Sequence, residues 1–168
     1  MERNIYIDID LCVGCGACAV ACMDQNDIDT DLKQPPFRRV YQIEEGNNPS
    51  ASIYYISAGC IHCENNPCAV GCPTGAITRN ETTRAVIVRK ELCIGCHSCA
   101  LACPFGVPRY DSEGKMSKCE LCSERVEFGY EPACVRACPY SALRFESINT
   151  IQEEKEINFI NRIVKTGR

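Results

Sequence analysis

Short runs of apolar residues, rich in Ile, Val and Tyr and bounded by polar or turn-forming residues, recur along the chain, which is the pattern of β-strands. Residues 5–9 predict one strand near the beginning of the sequence. Residues 76–78 and 84–88 predict the two strands of a β-hairpin, joined by a polar turn at 79–83. Residues 142–145 show the same pattern, so we expect a further strand there.

Residues 36–59 predict an inserted β-hairpin. Its strands are expected at 40–43 and 53–56, with the loop at 44–49 rich in turn-forming residues. The insertion is longer than a connector needs to be. We therefore expect it to cover a functional centre or to contact a partner, with the completion of a sheet as the alternative.

The C-terminal segment from Ser147 onward predicts a helix. Ile157, Ile160, Ile163 and Val164 recur at helical spacing and form one apolar face. Because an apolar stripe usually packs against a core, we expect this helix to pack back onto the domain. Docking onto another subunit is the alternative.

Cysteines divide the sequence into four groups of four, and none of the 16 is left over. Groups one and three have the spacing C-x2-C-x2-C-x3-C, whereas groups two and four each widen one gap. The groups are, in chain order, Cys12, Cys15, Cys18 and Cys22; Cys60, Cys63, Cys68 and Cys72; Cys93, Cys96, Cys99 and Cys103; and Cys119, Cys122, Cys134 and Cys138.

The composition limits what these cysteines are for. A chain of 168 residues without Trp, and with 11 Gly and 9 Pro, has few residues for a large core and needs disulfides or metal centres. The N-terminus has no apolar signal segment, so we expect a cytoplasmic protein whose thiols remain reduced. The net charge of −4 argues against nucleic acid as a partner, and the absence of a long apolar run argues against a transmembrane segment.

The spacing of the cysteines favours iron–sulfur clusters over zinc or disulfides. Zinc ribbons use two separated C-x2-C pairs, which group four alone resembles, but zinc has no use for the triple runs of groups one and three. Three closely spaced thiolates and a fourth after three residues are typical of [4Fe–4S] clusters in ferredoxins. Proline follows Cys72, Cys103 and Cys138, as in bacterial ferredoxins, whereas Met23 follows the last cysteine of group one.

Sixteen thiolates at four per cluster predict four [4Fe–4S] clusters, each with a complete set of ligands. Such clusters take up and release electrons and leave no iron position open for substrate, so we expect no catalytic residue. Glycines at 14, 16 and 95 allow the backbone to pass close to a cluster. His62 and His97 lie inside complete groups, so we expect them to form hydrogen bonds and not to bind iron. Lys115 and Lys118 either offset the cluster charge or are ordinary solvated lysines.

The motifs at 12–18 (CVGCGAC), 60–68 (CIHCENNPC), 72–77 (CPTGAI) and 114–122 (GKMSKCELC) resemble a known family. They are similar to the four-cluster iron–sulfur subunits of molybdopterin oxidoreductases, such as dimethyl sulfoxide reductase and formate dehydrogenases. The resemblance extends to about Ser147. It implies an α+β fold of two nested, bacterial-ferredoxin-like βαβ modules, although the spacing by itself leaves nested and sequential pairing open.

The resemblance also implies the ligands and the division of the chain. The ligand sets are Cys12, Cys15, Cys18 and Cys138; Cys22, Cys119, Cys122 and Cys134; Cys60, Cys63, Cys68 and Cys103; and Cys72, Cys93, Cys96 and Cys99. The implied segments are 1–35 with 104–147 as one module, 36–59 as the inserted hairpin, 60–103 as the second module, and 148–168 as a C-terminal helix and tail.

The function implied is that of a non-catalytic electron-transfer subunit in an oxidoreductase complex. It relays electrons between a molybdenum- or tungsten-pterin enzyme, such as a formate dehydrogenase or an aldehyde oxidoreductase, and a second redox partner. A hydrogenase or another iron–sulfur subunit is the expected partner at the second end. The alternative is a free, polyferredoxin-like carrier that serves several enzymes.

Overall fold

The structure, a computed structural model, describes residues 3–31, 34–47 and 49–166. In this part of the chain the strands are β1 Arg3–Ile7, β2 Arg39–Glu45, β3 Ser52–Ala58, β4 Ile77–Arg79, β5 Val86–Val88, β6 Arg109–Tyr110, β7 Met116–Ser117 and β8 Leu143–Ser147. The α-helices are α1 Ala17–Gln25, α2 Pro67–Val70, α3 Ser98–Ala102, α4 Ser123–Glu127, α5 Ala133–Arg136 and α6 Ile148–Thr166, and a 3-10 turn spans Lys90–Leu92.

The first and last strands pair with each other. β1 and β8 are antiparallel, with Ile5 opposite Phe145 and Ile7 opposite Leu143. The amide of Asp8 donates to the carbonyl of Ala142 at 2.8 Å, which extends the pairing by one step. Both predicted strands are confirmed, and their pairing brings the first and fourth cysteine groups to the same end of the molecule.

Both predicted hairpins are also present. β4 and β5 pair with Ile77 opposite Val88, and the amide of Asn80 donates to the carbonyl of Ala85 at 2.8 Å across the turn. β2 and β3 pair over seven residues each and form the inserted hairpin. The fold is thus a mixture of short helices and two-stranded antiparallel sheets, and in the described residues the sheets are β1–β8, β2–β3, β4–β5 and β6–β7.

Two small groups of buried side chains hold these elements together. The first contains Leu121, Val135, Leu143 and Phe145 together with cysteines 18 and 134. The second is built from Ile77, Val86, Cys99 and Met116. Cysteines therefore occupy core positions, as expected for a chain whose apolar side chains alone form only a small interior.

The C-terminal helix is present, but its expected packing is wrong. The start of α6 is anchored: Ile151 is 4% exposed, and the amide of Thr150 donates to Ser147 Oγ. Further along, Ile157 is 58% exposed and Ile160 is 50% exposed, so the apolar face lies open to solvent. The physical reason is that helical periodicity identifies an apolar face without showing whether any surface lies opposite it. No helix among the described residues is long and apolar enough to cross a membrane.

Candidate metal centres

Backbone conformation gives the cysteine loops their tight curvature. Gly14, Gly16 and Gly95 have φ angles of 71°, 78° and 68°, which an L side chain rarely adopts. At Gly14 space is also restricted, since a Cβ atom there would lie 2.3 Å from the ring of Tyr55. The inserted hairpin, through Tyr55, therefore packs directly on the loop of the first cysteine group.

Four cavities are each lined by four cysteines. Cavity 1 is lined by Cys12, Cys15, Cys18 and Cys138; cavity 2 by Cys22, Cys119, Cys122 and Cys134; cavity 3 by Cys60, Cys63, Cys68 and Cys103; and cavity 4 by Cys72, Cys93, Cys96 and Cys99. Their volumes, including space open to solvent, are similar, at about 330, 310, 400 and 340 Å³ respectively. The structure thus brings together the same four sets that the family resemblance implies.

Short helices explain why each cavity draws on two cysteine groups. Cys18 and Cys22 both lie on α1, four residues apart, and therefore about one helical turn apart. Each faces a different cavity, so one helix connects cavity 1 with cavity 2. Around α2, Cys68 and Cys72 connect cavities 3 and 4 in the same way.

The thiols surround a space and do not converge on a single point. All sixteen cysteines are free of disulfide bonds. Within the described ranges, no three His, Cys, Asp or Glu side chains lie close enough together to share one metal ion. Four thiols spread around a cavity fit a cluster of several metal and sulfide atoms better than they fit one zinc ion.

Burial has a strong effect on several of these thiols. It raises the pKa of Cys22 and Cys60 to about 11 and that of Cys134 to about 12. Buried thiols of this kind hold their protons at neutral pH unless a metal replaces them, because coordination deprotonates a thiol. The residues present therefore fit a thiolate-ligated cluster, which would supply reversible one-electron chemistry.

Hydrogen-bond donors lie around the sulfur atoms. Ser57 Oγ, on the inserted hairpin, is 3.2 Å from Cys18 Sγ. The amide of Met116 donates to Cys93 Sγ at 3.3 Å, and the amide of His62 donates to Cys60 Sγ at 3.4 Å. Donors to the sulfur atoms stabilise the more negative state of a bound cluster, so these contacts affect its reduction potential.

A buried lysine lines one of these cavities. Lys118 is 2% exposed, lines cavity 3 and donates from Nζ to the carbonyls of Val86 and Cys119. Lys115, in contrast, is a surface residue with its Nζ 3.5 Å from the carboxylate of Glu113. Of the two lysines, only Lys118 therefore lies beside a cysteine cavity, and the solvated alternative is wrong for it.

Arg38 is a site residue that sequence reasoning missed. It is 4% exposed and lines cavity 2, and its guanidinium donates to the carbonyl and the Oγ of Ser57 at 3.0 and 3.2 Å. It precedes β2 at the base of the inserted hairpin. No cysteine motif is near it in sequence, so the only signal in the sequence is its position directly before a predicted strand.

The two histidines contact different partners. His62 is buried, and its Nδ1 accepts a hydrogen bond from the amide of Val86 at 2.9 Å, in agreement with the expected hydrogen-bonding role. Burial and the nearby charge of Lys118 hold the pKa of His62 well below its usual value. His97 lines cavity 4 and stacks on Tyr110, with ring centroids 3.8 Å apart.

Comparisons with known proteins agree with this geometry. Residues 51–148 match the family described as a 4Fe-4S dicluster domain, and residues 9–23 match a 4Fe-4S binding domain. The chain is 41% identical over 161 residues to a component of anaerobic dimethyl sulfoxide reductase from Haemophilus influenzae, covering 90% of this chain and 77% of that protein.

Two further relatives are named as subunits of other dehydrogenases. A sulfite dehydrogenase subunit from Allochromatium vinosum is 34% identical over 175 residues, covering 93% of this chain and 73% of that subunit. A formate dehydrogenase iron–sulfur subunit from Haemophilus influenzae is 34% identical over 180 residues. The match covers 97% of this chain and 56% of that subunit. The chain therefore belongs to the family of [4Fe–4S]-binding electron-transfer subunits of molybdopterin oxidoreductases.

Proposed function

We propose that the chain carries four [4Fe–4S] clusters, one in each four-cysteine cavity, and conducts electrons between two partners. The observation that carries this proposal is the division of sixteen free thiols among four cavities without remainder. Each cluster would have a complete set of thiolate ligands. With no iron position left for substrate, the clusters exchange electrons and perform no bond chemistry.

The cavities follow one another in the order 1, 2, 3, 4. Helix α1 connects the first two and α2 connects the last two, as described above. Cavities 2 and 3 meet at Lys118 and Cys119, neighbours in sequence that line cavity 3 and cavity 2 respectively. This order supports a linear relay of four clusters.

Each end of this relay has an exposed cysteine. Cys15 in cavity 1 and Cys96 in cavity 4 are exposed, whereas the cysteines of cavities 2 and 3 are buried or half-buried. An electron therefore has a short protein path to a partner through Cys15 or Cys96. We assign these two ends to the two redox partners.

We also propose the nested division into modules. The pairing of β1 with β8 and the mixed ligand sets support a first module of residues 1–35 and 104–147 around cavities 1 and 2, and a second module of 60–103 around cavities 3 and 4. One refinement follows from packing: Tyr110 and Met116 belong to the second core, so β6 and β7 go with the second module.

The partners follow from the relatives. Proteins named as parts of dimethyl sulfoxide reductase, sulfite dehydrogenase and formate dehydrogenase support a molybdenum- or tungsten-pterin catalytic subunit at one end. The second partner is another redox protein, such as a hydrogenase or a further iron–sulfur subunit. Free thiols kept for metal suit assembly in a reducing compartment such as the cytoplasm.

The test is anaerobic purification of the tagged chain from its own cells, followed by metal analysis and identification of what copurifies. We expect about 16 iron atoms and 16 acid-labile sulfides per chain, four of each per cluster. A pterin-containing subunit should copurify in a fixed ratio. Stoichiometric zinc, or iron for only two clusters, would overturn the four-cluster proposal. A chain that purifies alone under every salt condition would favour a free carrier.

A further inference from the structure

The two inner cavities differ from the two outer ones in charge. Lys118 lines cavity 3, and Arg38 lines cavity 2. The residues described as lining cavities 1 and 4 include no Lys, Arg, Asp or Glu. Positive charge is therefore placed at the centre of the proposed relay and not at its ends.

Neither of these cations has a carboxylate partner in the part of the chain that the structure describes. Among the described residues, the ion pairs Lys90–Asp111, Lys115–Glu113 and Arg144–Glu154 involve neither Lys118 nor Arg38. Lys118 donates only to neutral carbonyls, and the Nε of Arg38 is buried without a hydrogen-bond partner. Burying a charge without an opposite charge is very unfavourable, so an anion belongs beside each.

The cavities themselves are where those anions belong. A [4Fe–4S] cluster with four thiolate ligands carries net negative charge and becomes more negative by one unit on reduction. Cavity 3 is lined by no acidic residue, so Lys118 acts there without competition. Cavity 2 also includes Glu120, whose Oε1 accepts from the amide of Val88 at 2.8 Å, and this carboxylate offsets part of the effect of Arg38.

We propose that Lys118 and Arg38 are the buried counter-ions of the two inner clusters and raise their reduction potentials. This inference rests on the proposed placement of clusters in cavities 2 and 3. Each cluster gains one electron on reduction, no bond is formed or broken and no proton is transferred. The fixed positive charge stabilises the extra electron, so the inner clusters hold electrons more readily than they would without it.

The location of Lys118 predicts a specific order of changes in the four reduction potentials. Lys118 lines cavity 3, and its Nζ lies 2.8 Å from the carbonyl of Cys119, which belongs to cavity 2. Removing its charge should therefore lower the potential of the cavity 3 cluster most, that of the cavity 2 cluster less, and those of the outer clusters least. Removing the charge of Arg38 should lower the cavity 2 potential most.

The experiment is a redox titration of the purified complex, followed by electron paramagnetic resonance, with iron and sulfide measured on the same samples. The variants are Lys118→Met and Arg38→Met. The chain offers matched controls: Lys115→Met removes a surface lysine three residues away, and Arg39→Met removes the neighbouring arginine, which lines none of the four cysteine cavities. Lys118→Arg retains the charge.

We expect the midpoint potential of the cavity 3 cluster to fall most in Lys118→Met and that of the cavity 2 cluster to fall most in Arg38→Met, at unchanged iron and sulfide content. The two controls and Lys118→Arg should leave the potentials close to the wild-type values. Unchanged potentials at full iron content would overturn the proposal, as would an equal shift in Lys115→Met.

A variant that fails to assemble still gives a decision. If Lys118→Met loses a cluster, Lys118→Gln is titrated in its place. Glutamine keeps a hydrogen-bond donor without the charge. A lowered potential with full iron supports the proposal, whereas cluster loss in both neutral variants shows a purely structural lysine and overturns it. Failure of the four-cluster proposal is distinguishable, because it appears as missing iron in the wild-type protein.

Discussion

The hydroxyl oxygen of Tyr110 lies 3.2 Å from Sγ of Cys99, and the ring of His97 stacks on the same tyrosine. Tyr110 belongs to β6 and Cys99 to α3, so the contact joins two elements around cavity 4. When the sulfur is an iron-bound thiolate it has no proton to give, and the tyrosine hydroxyl is the donor.

Tyr110→Phe should lower the potential of the cavity 4 cluster. The substitution removes the hydroxyl and keeps the ring that stacks on His97. A hydrogen bond worth about 0.5–1.5 kcal/mol corresponds to a shift of at most roughly 65 mV for one electron. Redox titration with electron paramagnetic resonance measures it, and Tyr130→Phe, an exposed tyrosine, is the control. An unchanged cavity 4 potential would contradict the assigned direction of this hydrogen bond.

Gly14→Ala should destabilise the first cysteine loop much more than Gly16→Ala. Both positions have left-handed backbone, which costs an alanine about 1–2 kcal/mol. Only at Gly14 would the new Cβ meet the Tyr55 ring, at 2.3 Å, whereas nothing lies within 4 Å at Gly16. Thermal unfolding and iron content should separate the two variants. Equal losses would show that the hairpin does not pack on this loop.

Cys72→Ala and Cys96→Ala should remove the same cluster signal, and Cys68→Ala should remove a different one. Cys72 and Cys68 belong to the same sequence motif, but Cys72 lines cavity 4 with Cys96. Each substitution removes one ligand, and iron content should fall by up to about four atoms per chain. Resonance spectra of the three variants provide the comparison. A common signal lost from Cys72→Ala and Cys68→Ala would contradict the crossed ligand sets.

Deleting residues 155–168 should leave unfolding and cluster content nearly unchanged. The apolar side chains of α6 in this region, such as Ile157 and Ile160, are at least half exposed, and exposed side chains of this kind contribute no more than about 0.5 kcal/mol each. Ile151→Ala, at the buried start of the same helix, should cost about 2–5 kcal/mol. Chemical denaturation measures both changes. A large loss on truncation would mean that this face packs against the domain.

Removing iron with a chelator under reducing conditions should unfold the chain. The buried core is small and contains cysteines 18, 99 and 134, whose thiols surround the cavities. Without clusters, burial of these groups stabilises little, so binding and folding are expected to be coupled. Circular dichroism should show loss of cooperative thermal unfolding. An apo protein that still unfolds cooperatively near the original temperature would contradict this coupling.

Local patterns predicted much of the fold. Short runs rich in β-branched and aromatic residues, separated by polar turns, identified both hairpins, because such residues favour strands and turn-forming residues end them. Glycines at 14, 16 and 95 were expected to let the backbone pass close to a cluster. All three have positive φ angles, a backbone conformation that glycine adopts more readily than other residues. The exposed face of α6 was misjudged, since periodicity contains no information about what lies opposite a helix.

The cysteine sequence by itself determined the chemistry: sixteen thiols in four complete groups require a multi-iron cofactor, because ligand type and spacing are properties of the covalent chain. The spacing by itself left nested and sequential pairing open, and the tertiary structure decided which thiols share a cavity. Pairing of β1 with β8 and the one-turn offset of Cys18 from Cys22 are long-range and three-dimensional relationships. Burial of Lys118 and Arg38 was also decided by the tertiary structure, because the sequence specifies the charge of a side chain but not its solvent exposure.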